Sequence, residues 1–425
     1  GATYTVSAVT DSEEPTSDDV QTSVPDLTPL THPAEGVPGV VTDQAGLEAA
    51  IDAIAAGTGP IAIDAERAGG YRYSHNAYLV QLRRTGSGSH LIDPIGFDDL
   101  QPLANVIADE EWILHAASQD LPCLAELKMV PNRLFDTEMA ARILGRPKVG
   151  LAALAETELG VSLAKEHSAA DWSTRPLPEA WLRYAALDVE LLIELRSILA
   201  ADLESSGRMP WAVEEFEHLR TAPARAPRVD PWRRTSGIHK VRTGRGLEIA
   251  RQLWLARDAM AEQRDIAPGR VLPDAAISAA AIARPTAKEQ LGALPAFSGR
   301  GTKRRIEYWW QAVDQANKTP ERELPQAAAA TTGPPPPRSW PDRAPEAAVR
   351  LAAARTFLTE TAESLGMPTE NLLTPDVARR LCWAPPDSQS VEAVSTFLSD
   401  HGARQWQIDL TCHGLSEALT PKESP

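Results

Sequence analysis

The sequence predicts a mixed α/β layer domain followed by two all-helical units. Three observations carry this. Residues 61–93 hold short apolar runs of strand length, two of them joined by the turn-forming Thr85-Gly86-Ser87-Gly88. Helical periodicity takes over near residue 137, and no strand-like alternation returns across residues 247–313. Stretches bearing Pro and Gly at 207–239 and 323–346 divide the chain into three parts.

Residues 1–38 are rich in Ser, Thr, Pro and acids and nearly free of large apolar side chains, which predicts a disordered acidic tail. The domain over 39–206 begins with a helix over 44–56, whose Leu47, Ala50, Ile51 and Ile54 share a face. Gly57-Thr58-Gly59-Pro60 breaks it and leads into a strand over 61–66. Strands over 77–83 and 89–93 form a hairpin. A helix over 100–107 and a strand over 112–114 follow. His115 to Asp120 opens a further helix towards Leu127, Leu134-Phe135 is a brief strand, and Asp136 caps the helix that starts at Thr137. A long helix over 178–205 begins with Pro-Glu and carries the stripe Leu187, Leu191, Leu195, Leu199, which buries it against the sheet. Hairpin strands followed by helices predict a mixed sheet.

The connector over 207–239 leads to a helical unit over 240–322, with Leu247, Ala250, Leu253, Trp254, Met260, Ile306, Trp309 and Trp310 as its core. An Ala/Pro-rich linker over 323–346 precedes a second helical unit over 347–425, built on Leu351, Leu358, Leu365, Leu381, Trp383, Phe397 and Trp406.

At 425 residues the chain is too long for one ordinary core, so two or three domains are expected. No run reaches the roughly 20 apolar residues of a membrane span, and no signal-peptide order is visible at the start. Cys123, Cys382 and Cys412 are odd in number and far apart, which argues against a disulfide framework or a zinc site and fits a cytoplasmic protein. The net charge of −16 disfavours nucleic acid as a partner at first sight. Seven of the acids lie within the first 35 residues, where there is no Lys or Arg, so the bulk value says little about any one face.

Alternation along the strand over 61–66 puts Asp64 and Glu66 on one face, at the point where the strand leaves its sheet. Two like charges this close repel, and a divalent cation would neutralise them. Asp-x-Glu alone is ordinarily a pair of surface acids; its meaning depends on further carboxylates elsewhere. Tyr184 and Asp188 supply part of that context, one helical turn apart beside the buried stripe, and Asp120 at a helix start supplies the rest. Four carboxylates from a strand, a helix start and a long helix match what two-metal phosphodiester hydrolysis needs, with hard oxygen ligands that suit Mg²⁺ or Mn²⁺. A phenol beside them can orient a water.

Asp64-x-Glu66, Leu114-His115-x3-Gln119-Asp120 and Tyr184-x3-Asp188 resemble the three exonuclease motifs of the DEDD superfamily in its tyrosine-bearing branch, most closely the ribonuclease D family. Asp136-Thr137, Asp171-Trp172-x2-Arg175-Pro176-Leu177 and Tyr184-Ala-Ala-x-Asp188-Val189 resemble further runs of that family. The two helical units resemble its HRDC domains, more clearly over 240–320 than over 348–415. The resemblance implies an RNase H-like fold and a metal-dependent 3′→5′ exoribonuclease that releases nucleoside 5′-monophosphates. It implies that Asp64, Glu66, Asp120 and Asp188 bind two divalent cations, Mg²⁺ or Mn²⁺, and that Tyr184 positions the attacking water. Asp64, Glu66 and Asp188 would share the first ion; the second would rest on Asp64, with Asp120 behind it. The implied partners are RNAs with a free 3′ end, chiefly tRNA precursors, acted on by a monomer without a membrane or protein partner. Arg67 departs from the family, which usually carries an aromatic or apolar residue there.

For nucleic-acid contact the sequence offers His115 near the mouth of the site, Trp172 and Arg175 along a cleft, and a basic cluster of Arg233, Arg234, Lys240, Arg242 and Arg245. Lys303, Arg304 and Arg305 form a second cluster. Each has a plainer reading: a hydrogen bond at a strand end for His115, packing and loop ordering for Trp172 and Arg175, a solvated face for the clusters. Two other functions are compatible with the same residues. One is a DNA 3′→5′ exonuclease in repair; the other is a catalytically silent nucleic-acid-binding scaffold.

Overall fold

The computed structural model describes residues 26–164, 167–327 and 333–420. The first domain contains, in order, β1 (Thr28–Leu30), β2 (Val40–Val41), α1 (Gln44–Ala56), β3 (Thr58–Arg67), β4 (Ala77–Thr85), β5 (Gly88–Ile92), α2 (Gln101–Val106), β6 (Glu111–Leu114), α3 (Leu121–Glu126), β7 (Arg133–Asp136), α4 (Thr137–Ile143), α5 (Leu151–Leu154), β8 (Val161–Leu163), α6 (Glu179–Glu190) and α7 (Leu192–Ser205). Strands β2 to β7 form a six-stranded mixed sheet in the order β2-β5-β4-β3-β6-β7. The β3–β4 and β4–β5 pairs are antiparallel; β2–β5, β3–β6 and β6–β7 are parallel.

Alternation along β3 sends Ile61, Ile63 and Ala65 into a core shared with Leu47 and Ile54 of α1 and Leu103 of α2. The other face carries Ala62, which packs with Ile113, Val189 and Leu192 under α6 and α7. The sheet is therefore covered on both faces, as its central parallel strands require. Asp43 caps α1 by accepting from the Gly46 amide, and Asp136 caps α4 by accepting from the Glu138 and Met139 amides.

Four sequence expectations change. The first is the acidic tail: residues 1–25 lie outside the described residues, but residues 26–38 are ordered. There β1 pairs in parallel with β8, the Ala34 amide donates to the Glu190 carboxylate, and Glu35 pairs with Arg83. A polar composition did not reveal that a distant edge strand would pair with this segment. The second is the long helix, which is two helices meeting at Leu191. Here α6 lies along β3, β4 and β5 while α7 turns to β3, β6 and α4, following the twist of the sheet. The leucine stripe stays in phase through the break, so periodicity alone could not detect it. The third is the connector, which contains α8 (Met209–Thr221), with Pro210 in its first turn, where proline starts a helix instead of breaking one. The fourth is the segment from His115: Ala116 is left-handed (φ 57°), a 3₁₀ turn covers Ala117–Gln119, and α3 begins only at Leu121.

The middle helical unit comprises α9 (Gly244–Arg264), α10 (Pro268–Val271), α11 (Asp274–Ala283), α12 (Lys288–Gly292), α13 (Arg300–Arg304) and α14 (Ile306–Lys318) around its own core of Trp232, Leu253, Ile277, Phe297 and Trp309. The last unit comprises α15 (Trp340–Arg343), α16 (Pro345–Leu365), α17 (Thr369–Leu372), α18 (Pro375–Trp383), α19 (Val391–Asp400) and α20 (Gln405–Leu419). Its core is continuous with the first domain: Leu351, Leu358, Trp406 and Leu415 belong to one cluster with Phe135, Ile143, Leu199 and Phe216. Among the described residues no helix is long and apolar enough to cross a membrane.

Candidate active site

The C-terminal end of β3 opens into a cleft of about 460 Å³ lined by Asp64, Glu66, Arg67, His115, Asp120, Tyr184 and Asp188. All five residues expected to carry the chemistry thus lie in one place. Asp64 and Glu66 come from β3, Tyr184 and Asp188 from adjacent turns of α6, and Asp120 from the start of α3. Carboxylate oxygens of Asp64, Glu66 and Asp188 lie within 4.8 Å of one another. The Asp120 carboxyl lies beside that of Asp64, and the Tyr184 phenol lies beside Asp188, close enough for each to influence the other's charge.

Burial is the leading electrostatic influence. It pushes the Asp64 carboxyl up to about 6, against the Ala65 amide bond that favours the anion. Burial, then repulsion from neighbouring carboxylates, raises Glu66, Asp120 and Asp188 well above the ordinary carboxylate range. Four acids forced together with weak solvation form a site whose charge a hard divalent cation would relieve. Oxygen donors at this spacing fit Mg²⁺ or Mn²⁺. Burial and the carboxylates around it also raise the Tyr184 phenol, so it stays protonated.

Two supporting residues hold the cluster. Asp136 fixes the segment that delivers Asp120: its carboxylate accepts from the amides of Ala116 and Ala117 while also capping α4. Gln81, absent from the sequence-based site, is fully buried on β4 directly opposite Asp64. Its amide nitrogen lies 3.0 Å from Glu66 Oε1 and 3.4 Å from Asp64 Oδ2 and from the Ala185 carbonyl. The available signal was a lone amide within the apolar run Ala77–Leu82. Arg67 points inwards, with Nη2 3.6 Å from Asp120 Oδ1.

The residues expected to touch nucleic acid are spread more widely. His115 lines the cleft, but its Nδ1 lies 2.8 Å from Thr137 Oγ1 and burial pushes the imidazole down to about 4, so it is neutral at neutral pH. Trp172 is fully buried, with its ring against Trp181 and Tyr184. Arg175 bonds to Asp93 and to the carbonyls of Trp172, Thr174 and Tyr78, which orders its loop. Arg245 bonds to the carbonyls that end α14 and to Glu321, and Arg233 to Asp230 and the Gln326 carbonyl. Arg234, Lys240 and Arg242 are exposed.

The chain is similar to known proteins in sequence and fold. Residues 38–204 match a family model described as 3′-5′ exonuclease, residues 246–313 one described as HRDC domain, and residues 333–419 one described as 3′ to 5′ exonuclease C-terminal domain. Ribonuclease D of Escherichia coli K12 is 33% identical over 274 residues, covering 63% of this chain and 72% of its own length. Ribonuclease D of a Jannaschia species is 32% identical over 281 residues, with the same coverage of both chains. Among solved structures, a protein from Bifidobacterium adolescentis superposes with a TM-score of 0.86 at 37% identity, over 93% of this chain and 100% of that one. The Escherichia coli RNase D structure, described as an exoribonuclease involved in structured RNA processing, gives a TM-score of 0.66 at 26% identity, over 91% of this chain and 99% of that one.

Proposed function

The chain belongs to the ribonuclease D family, and from that premise we propose that it trims RNA from the 3′ end by two-cation hydrolysis at Asp64, Glu66, Asp120 and Asp188. It is an exoribonuclease. The observation that supports the mechanism is the convergence of Asp64, Glu66 and Asp188 oxygens within 4.8 Å, in a cleft that Tyr184 also lines.

Asp64, Glu66 and Asp188 would hold one ion, and Asp64 with Asp120 the other. When bound, the two ions activate the attacking water and stabilise the charge of the leaving oxygen. The residues themselves provide position. Tyr184, kept protonated by its buried surroundings, hydrogen-bonds the water and aims it at the terminal phosphorus. Gln81 fixes the Glu66 carboxylate so that one face stays open to the cleft. Water attacks the last phosphodiester, the upstream 3′ oxygen leaves, and the products are a nucleoside 5′-monophosphate and an RNA one residue shorter. The reading extends to 3′ extensions of structured RNAs, chiefly tRNA precursors, with Mg²⁺ or Mn²⁺ as the ion and a cytoplasmic monomer as the acting form.

A 5′-labelled RNA with a single-stranded 3′ tail tests this, incubated with Mg²⁺, Mn²⁺ or EDTA and with wild type or Asp64→Ala. A descending ladder that needs metal and vanishes in the variant is expected. Binding without a ladder under either ion refutes the mechanism.

A further inference from the structure

The nine residues that join β3 to β4, 68–76, leave the strand that carries Asp64 and Glu66 and form one wall of a second recess of about 340 Å³. This recess shares Ala65, Glu66 and Arg67 with the main cleft; Gly69, Gly70 and His75 line one side, and Ser168 to Ala170 the other. The recess and the main cleft meet at Glu66.

The wall is held from outside its own domain. The Asp265 carboxylate, at the C-terminal cap of α9, accepts the Ser74 amide at 2.8 Å. The Ala267 amide donates to the Tyr71 carbonyl, and Arg270 Nε donates to the Gly70 carbonyl at 2.7 Å. The Arg270 guanidinium also covers the Tyr71 ring, 4.2 Å from its centroid, and the Tyr73 hydroxyl donates to Asp258. Within its own domain the segment has, among the described residues, one side-chain hydrogen bond, Arg72 Nε to Ser173 Oγ, next to the opposite side of the recess, while Ala68 and Tyr71 pack with Trp172 and Leu79. The Ser74 amide bond is the leading reason that the Asp265 carboxyl sits below the ordinary range, so this contact favours the charged form.

Resting on the exonuclease reading of the cleft, we propose that the HRDC unit is a positioning element for the active site. Asp265 and Arg270 fix residues 68–76 and so set the opening through which a single-stranded polyribonucleotide reaches Glu66. Neither residue lines the cleft or the recess; they act through Ser74, Gly70 and Tyr71.

Asp265 has a left-handed backbone (φ 48°, ψ 51°), so Asp265→Ala would add strain unrelated to the contact. Asp265→Gly removes the side chain where glycine is conformationally at ease, and Asp265→Asn keeps a carbonyl acceptor for the Ser74 amide. In the full chain, Asp265→Gly is expected to raise KM for a single-stranded 3′-tailed RNA about tenfold, the scale of one lost charge-assisted hydrogen bond, with kcat within about twofold. Arg270→Met should shift KM in the same direction, and Asp265→Asn should return it close to wild type. Fluorescence anisotropy of the same RNA in EDTA gives Kd for the same set and should follow KM. Unchanged KM and Kd in the glycine and methionine variants overturn the proposal, as does a loss that Asp265→Asn shares. A wild type without metal-dependent cleavage refutes the exonuclease reading instead, and the Kd series still decides the positioning role.

Discussion

Arg67 Nη2 stands 3.6 Å from Asp120 Oδ1, so a positive side chain flanks the carboxylates proposed to hold cations. It opposes the burial that raises Asp120, and it would compete with a metal ion for the same oxygen. Replacing Arg67 with Met is expected to lower the Mg²⁺ concentration for half-maximal cleavage by about three- to tenfold. That range is discounted because the arginine is about one-third exposed. A metal titration at fixed RNA measures it; an unmoved midpoint would mean that Arg67 swings clear when ions bind.

Tyr184 is half-buried beside Asp188, and burial with the nearby carboxylates raises its phenol, which keeps the proton in place across the working range. Tyr184→Phe removes the donor and leaves the ring that packs on Trp172. A fall in kcat of about 100-fold is expected, with little change in KM, since the lost bond acts on the attacking water. Equal activity in the two proteins would remove Tyr184 from the mechanism.

Metal-free stability should depend on pH in the unusual direction for carboxylates. Asp64 titrates near 6 in the folded chain and near 4 when unfolded, and Glu66, Asp120 and Asp188 are raised too. The folded state therefore binds protons more tightly. The stabilisation this gives is complete below about pH 4 and is lost as pH rises through about 6 and beyond. Divalent ions bound as proposed would replace those protons. Thermal melts in EDTA should show this contribution lost between pH 5 and 8, and the gain in Tm on adding Mg²⁺ should be larger at pH 8. A metal-induced gain larger at pH 5 would contradict the assignment.

Gly145 (φ 76°) follows α4 in the catalytic domain, and a Cβ there would sit 1.8 Å from the Gly366 carbonyl oxygen at the end of α16. Gly207 (φ 71°) has no neighbour within 4 Å of such a Cβ. Gly207→Ala should therefore cost about 1–2 kcal/mol for left-handed strain alone. Gly145→Ala adds overpacking and should cost about 2–4 kcal/mol in urea unfolding. Similar values for the two would mean that the last helical unit yields easily at this contact.

What the sequence determined by itself is local. Period-two alternation put Asp64 and Glu66 on one face of a strand, four-residue spacing stacked Tyr184 over Asp188, and Asp136 announced its cap. These relations depend on backbone geometry over a few residues, so they survive without knowledge of what packs nearby. The tertiary structure decided what meets what. It set Gln81 opposite Asp64 by strand register, turned Arg67 towards Asp120, and chose for Trp172 and Arg175, between cleft lining and packing with loop ordering, a buried ring and a guanidinium tied to Asp93. It also gave two helical units of similar sequence character different roles. One keeps its own core and grips the segment after β3; the other merges its core with α4, α7 and α8. Hydrophobic patterning states that a face will be buried but not against which partner. That choice is made by shape and polar complementarity between surfaces more than a hundred residues apart in the chain.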